Sequence, residues 1–223
     1  WLSTEANEAN HIKRDTPVMC VIGNPPYSGE SSNSGDWVDK LIDIYKYDHL
    51  GQKIPDTKWL NNDYVKFLRY GQYYIEKNGS GVLAFITDNS FLDSISFRGM
   101  RWNLLKTYDK IFVLNLHGNS KKKETAPDGS SDQNVFDIMQ GVSINILVKT
   151  GKKKSNELSK VLYLDVFGKR ELKYDFLWDN SLNNSSFEEL KPFQPNFFIV
   201  PKDFSAQSEY DTFIKIDDLL NIN

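Results

Sequence analysis

The chemistry available to this 223-residue chain is concentrated in Asn24-Pro25-Pro26-Tyr27, directly behind the apolar, β-branched run Val18-Met19-Cys20-Val21-Ile22. A continuous apolar run bounded by Pro17 and Gly23 predicts a strand buried on both faces of a parallel sheet. In α/β folds, ligand sites lie just past the carboxyl end of such a strand. The side-chain oxygen of Asn24 and the main-chain carbonyl of Pro25 are two neutral acceptors on adjacent residues, and the prolines stiffen the backbone that carries them. This pair suits transfer of a methyl group to a planar amino nitrogen. The lone pair of such a nitrogen is delocalised and poorly nucleophilic. Accepting both N–H groups favours a pyramidal nitrogen whose lone pair is aimed at a methyl donor. Neutral acceptors also leave no negative charge in a desolvated pocket beside a sulfonium donor. Tyr27 offers a flat face on which a planar group can stack. The competing reading is an ordinary Pro-Pro turn.

The second candidate feature is charge. With 27 basic and 30 acidic residues the net charge is −3, which by itself argues against a surface built for nucleic acid. The distribution is uneven: residues 1–97 carry −4, residues 98–154 carry +6 and residues 155–223 carry −5. Arg98, Arg101, Lys121, Lys122, Lys123, Lys152, Lys153 and Lys154 lie in the positive segment and are candidates for phosphate contacts. A merely solvated surface is the alternative.

The elements that must position these residues follow from periodicity. Residues 3–14 predict a short helix capped by Ser3 or Thr4, and 36–45 and 62–77 predict amphipathic helices, the latter stopped by Asn78-Gly79-Ser80-Gly81. Strands are expected over 82–87 and 111–116, with a helix over 97–107 between them. The alternation β-α-β-α-β favours a doubly wound α/β sheet. A long polar connection over 117–134 leads to a strand over 142–149, which no helix joins to its predecessor and which should therefore pair antiparallel to a neighbour. Residues 161–167 suggest a fifth strand. From Gly168 the pattern weakens, with Lys191-Pro192-Phe193-Gln194-Pro195 as the clearest linker, so 1–167 reads as the main domain and 168–223 as a transition segment toward another.

Other chemistries find less support. His11, His49 and His117 are too dispersed to suggest a metal site, and Asp88 reads as a cap or turn acid more than a base. Cys20 alone builds neither a disulfide framework nor a cysteine zinc site. No apolar run approaches the length of a bilayer span and no signal-like segment opens the chain, so a cytoplasmic location with no membrane partner is expected. Opening on Trp1 and a polar stretch, the chain reads as a piece of something longer.

Asn24-Pro25-Pro26-Tyr27 after an apolar strand resembles the catalytic motif of S-adenosylmethionine-dependent amino-methyltransferases, especially adenine-N6 DNA methyltransferases. Gly81 to Thr87 with Asn89-Ser90-Phe91-Leu92 is similar to the strand and turn that follow in that family. Asn134-Val135-Phe136 before Gly141-Val142-Ser143-Ile144 resembles its later aromatic motif, in which a Phe packs against a flipped base. Residues 22–28 and 117–142 look most like the large single-polypeptide restriction-modification enzymes, of type ISP or IIG-like character.

The resemblance implies a Rossmann-like methyltransferase fold, catalytic half only, with a mixed sheet and an antiparallel last strand. It implies transfer of methyl from S-adenosylmethionine to an adenine flipped out of double-stranded DNA, held between Tyr27 and Phe136, without a metal. The family's glycine-rich donor motif and ribose-binding acid are absent, which places donor binding, Asn24 apart, upstream in the parent polypeptide, the chain's expected partner together with DNA. The same motif also resembles methyltransferases of glutamine side chains or RNA guanines. A DNA-binding fragment without activity of its own is a further alternative.

Overall fold

The computed structural model describes residues 2–27, 31–210 and 212–214. Its best-specified helix is α3 (Asp63–Asn78), where the Asn62 side chain accepts the Tyr64 N–H at 3.3 Å and Gly79 ends the helix in the left-handed region at φ 86°. Tyr64, Leu68 and Ile75 form its buried stripe. Gly71 lets α3 approach strand β2 (Gly81–Asp88): a Cβ at that position would lie 2.7 Å from the Leu83 side chain.

The sheet contains β1 (Cys20–Gly23), β2, β3 (Lys110–His117), β4 (Val142–Lys149), β5 (Lys160–Asp165) and β6 (Glu188–Leu190), in the spatial order β1-β2-β4-β3-β5-β6. β1 runs parallel to β2, and β5 parallel to β3, whereas β4 is antiparallel to both of its neighbours. The mixed sheet expected from sequence is present, with the antiparallel β4 inside it and the antiparallel β6 at its edge. β1, β2, β3 and β5 therefore point their carboxyl ends the same way, and β4 starts at that end, where Asp88 pairs with Val142. α4 (Arg98–Thr107) connects β2 to β3 and, with α3, contributes Leu68, Ile75, Leu104 and Leu105 to the main core over Leu83 and Val113.

The burial expected of β1 is corrected. It is an edge strand, Ile22 is 81% exposed, and Cys20 is exposed as well. The run has the composition of an interior strand, yet no strand lies on its outer side among the described residues. α1 (Leu2–Asp15) forms as expected, with residues 3–12 all exposed, and α2 (Asp36–Asp43) lies within the next stretch expected to be helical.

The boundary at Gly168 is not a structural one. α5 (Arg170–Asp179) follows β5, β6 extends the sheet, and Phe197 and Ile199 are buried in the main core, where the Ile199 N–H bonds the Leu92 carbonyl at 3.1 Å. The segment expected to be a linker doubles back as a strap held by backbone bonds and isolated aromatic plugs, neither of which has a period. A short helix, α6 (Gln207–Tyr210), follows. Among the described residues, no helix is long and apolar enough to cross a membrane.

Candidate active site and nucleic-acid interface

The turn after β1 is docked on β2 by Tyr27. The Tyr27 hydroxyl lies 2.9 Å from Asn24 Oδ1 and 3.2 Å from the Ile86 carbonyl, so one phenol ties the turn to itself and to the neighbouring strand. Pro25 is buried beneath it while Asn24 and Pro26 are exposed. Burial, reinforced by the charge of Asp88, pushes the Tyr27 hydroxyl up to about 12, so it remains a donor at neutral pH. The arrangement holds Asn24 Oδ1 in one orientation with a lone pair still open to solvent. Asp88 accepts the Ser90 N–H at 2.7 Å and caps the turn after β2, the structural role expected of it.

Phe136 is half-buried. It packs on a small apolar cluster of Leu116, Val135, Val142 and Val166 against which Tyr27 also packs, so the two rings share one floor at the carboxyl ends of the strands. Its backbone is held from both sides: its N–H bonds Asn134 Oδ1 at 2.9 Å and its carbonyl accepts from Arg170 at 3.0 Å.

The long polar connection between β3 and β4 is pinned at its base. Lys173 and Asp132, whose side chains are 0% exposed, pair at 2.8 Å, and Asp132 also accepts the N–H groups of Gly118 and Gly168 at 2.6 and 2.7 Å. Asn134 donates to the carbonyls of Gly118 and Gln140. At Gly118, with φ 81°, a Cβ would come within 2.4 Å of the Asn134 Cα, so that crossing requires glycine.

His117 ends β3 with φ 52°, an uncommon conformation for a residue other than glycine. Its ring is stacked on Phe167 at 3.8 Å, with Nδ1 2.7 Å from Glu124 and Nε2 2.6 Å from Asp165. His117, Glu124 and Asp165 edge a polar cavity of about 260 Å³ shared with Asn89, Asn115 and Lys122. The sequence reading missed this cluster because it looked for metal spacing, whereas His117 and Asp165 are brought together by ending two parallel neighbours, β3 and β5. Among the described residues no group of three metal-ligating side chains is suited to hold a metal ion.

The basic residues divide into three groups. Lys121, Lys122 and Lys123 are exposed on the connection at the end of the sheet that carries the Asn24 turn, and the half-exposed Arg98 follows β2 at the same end. Lys152, Lys153 and Lys154 follow β4, whose Lys149 pairs with Gly81 at the opposite end, about 25 Å away for a strand of eight residues. They do not join the Asn24 turn on one surface, and Lys153 is engaged at the end of α4 by the Leu105 and Lys106 carbonyls at 2.9 and 2.7 Å. Arg101 is 0% exposed and bonds the carbonyls of Phe91, Ser94 and Asn196. It ties the strap to the core and is withdrawn as a phosphate contact, since it is closed to solvent and four of its five N–H donors are already engaged.

The chain matches the profile of a family described as Eco57I restriction-modification methylase over residues 2–121. No curated protein sequence matches it significantly. Among solved structures it is similar to the ATP-dependent Type ISP restriction-modification enzyme LlaBIII bound to DNA, with 29% identity and a TM-score of 0.73 over 86% of this chain and 13% of that one. It is also similar to a nuclease-deletion mutant of the Type ISP enzyme LlaGI in complex with a DNA substrate mimic, with 26% identity and a TM-score of 0.74 over 92% of this chain and 20% of that one. A third similar structure is the DrdV–DNA complex, with 26% identity and a TM-score of 0.70 over 85% of this chain and 19% of that one. The chain thus spans about one fifth or less of these proteins.

Proposed function

The chain belongs to the Eco57I restriction-modification methylase family, and from that premise we propose that it is the acceptor-side half of a DNA methyltransferase that methylates the N6 amino group of an adenine turned out of the duplex. The observation that carries the reading is Asn24, exposed at the carboxyl end of β1 and held in orientation by the Tyr27 hydroxyl. Asn24 Oδ1 and the Pro25 carbonyl accept the two amine hydrogens and leave the nitrogen lone pair directed away from both. Tyr27 and Phe136 flank the base by stacking, and the surplus proton leaves to water.

S-adenosylmethionine, when bound, supplies the electrophilic methyl group. The described residues fit only its acceptor side: Asn24 follows the edge strand β1, and no glycine-rich donor turn with a ribose-binding acid is found in the sequence. The exposed Ile22 and the edge of β1, unpaired among the described residues, suit pairing with a further strand of the parent protein. Donor binding is assigned there.

Incubating the full-length protein with methyl-labelled S-adenosylmethionine and DNA, RNA or translation-factor protein tests the reading. Label in N6-methyladenine of DNA is expected, and label confined to RNA or protein refutes it.

Lys121, Lys122 and Lys123 are the lysines placed to contact phosphate beside the site. Their joint replacement by alanine is expected to weaken DNA binding at every sequence and to flatten its salt dependence, by about 0.9 in slope for each phosphate no longer neutralised. Binding titrations from low to moderate salt check this, and an unchanged slope returns the turn to solvent.

Phe136→Ala is expected to lose about 1–3 kcal/mol of affinity for DNA carrying an unpaired adenine, with Phe136→Trp retaining it. If the alanine variant instead melts early and its folded fraction methylates normally, Phe136 serves only the core.

A further inference from the structure

Both ring nitrogens of His117 face carboxylates, and a neutral imidazole has only one N–H to give. The geometry therefore calls for an imidazolium. Glu124, on the Nδ1 side, also closes the lysine-bearing turn. Its Oε2 accepts the Asn119 N–H at 3.0 Å and its own N–H bonds the Asn119 carbonyl at 3.2 Å. Inside that closure, the Lys122 N–H bonds Asn119 Oδ1 at 3.0 Å and the Lys123 N–H bonds the Ser120 carbonyl at 3.2 Å.

On the Nε2 side, Asp165 is held by the Tyr163 hydroxyl, which accepts from Asn115 at 2.9 Å; Asn115 in turn accepts from Asn89 at 2.9 Å. Asn89 directly follows β2, and its N–H bonds the Gly141 carbonyl at 2.9 Å. A continuous run of hydrogen bonds thus joins the end of β2, the strand on which Tyr27 docks, to the turn carrying Lys121, Lys122 and Lys123.

We propose that His117 is a positioning residue: in its doubly protonated form it holds Glu124, and through it the lysine turn, in register with the catalytic turn for contact with DNA phosphates. The assignment rests on reading that turn as a phosphate contact.

The groups facing the ring are Glu124 from the turn, Asp165 and Tyr163 from β5, and Phe167 stacked on its face, with Lys122 and Asp93 further out on the same cavity. Burial draws the imidazole pKa down, but the bonds and charges of Asp165 and Glu124 outweigh it and leave it raised above the ordinary value. The sign follows: the latch is fully formed below about pH 6.5, the unfolded value for histidine, and is released as pH rises through the raised folded value.

Glu124→Gln separates this proposal from a plain structural role. A glutamine can still accept the Asn119 N–H through Oε1 while its Nε2 donates to the lone pair of a neutral His117, whose remaining N–H bonds Asp165. The latch would then close without the extra proton.

The test measures affinity of the full-length protein for a fluorescent mixed-sequence duplex from pH 6.5 to 8.5, with hydrogen exchange of the 118–131 segment corrected for intrinsic rates. The wild type is expected to lose roughly threefold to tenfold in affinity and to exchange faster at the high end. The salt slope should fall by about one for each phosphate that is no longer engaged. Glu124→Gln should give a flat profile at the tight level, and His117→Ala a flat profile at the weak level. Identical pH profiles in all three proteins, or exchange insensitive to pH, overturn the latch. If exchange follows His117 as described while the triple lysine variant binds DNA with unchanged salt slope, the latch stands and the phosphate reading fails, so the two failures are distinguishable.

Discussion

Asn24→Ala in the full-length protein is expected to lower methyl transfer by roughly a hundredfold or more, the usual consequence of removing one preorganised group that acts in the transition state. DNA affinity should change little, because an exposed side chain that accepts one amine hydrogen contributes more to the transition state than to the ground state. The fold favours a clean result. Tyr27 bonds the Ile86 carbonyl as well as Asn24, so the alanine variant retains the tie between the turn and β2 and the exposed site creates no cavity. Single-turnover rates alongside equilibrium binding separate the two quantities. Turnover at the wild-type rate removes Asn24 from the chemistry, and an equal loss of binding and turnover makes it a docking residue.

The same turn shows what was readable in the residues and what was not. That a strand precedes Asn24 follows from an apolar, β-branched run, and strand formation is a local tendency reinforced by one neighbour, β2. Burial is a different kind of property, since it depends on what lies on the other side. The residues of β1 have an interior composition, and only the assembled sheet reveals that, among the described residues, no strand covers its outer edge. Helix α3 was legible because cap, stripe and glycine stop are all local.

The basic residues show the limit from the other side. Lys121 and Lys152 look alike in sequence, yet the antiparallel course of β4 sends the second to the far end of the sheet. Arg98 and Arg101 both belong to α4 and are equally basic on paper. Arg101 differs in facing inward, where the Phe91 and Ser94 carbonyls and, from the strap, the Asn196 carbonyl accept its hydrogens. The His117 cluster depends on two strands ending side by side, a relation that no spacing rule expresses.

Lys173 anchors the connection between β3 and β4, although it sits in the stretch where sequence periodicity fades. Its ammonium bonds the carbonyls of Leu116 and Gln133, each at 2.6 Å, and pairs with Asp132 in a site closed to solvent. Lys173→Met is therefore expected to destabilise the fold by about 3–5 kcal/mol, because removing one partner leaves an uncompensated buried charge, a larger effect than the net value of the pair. Asp132 cannot escape to water without surrendering the Gly118 and Gly168 N–H groups, so the connection should open with it.

Adding Asp132→Asn to Lys173→Met removes the stranded charge while keeping an acceptor for one of those N–H groups, and should recover part of the loss. Urea unfolding of the two variants measures both steps, and hydrogen exchange over 118–141 locates them. A wild-type midpoint for Lys173→Met would mean that the pair contributes nothing to holding this connection. A double variant less stable than the single would mean that the two glycine N–H bonds outweigh the buried charge, and that Asp132 is retained as a backbone acceptor with Lys173 as its counter-ion.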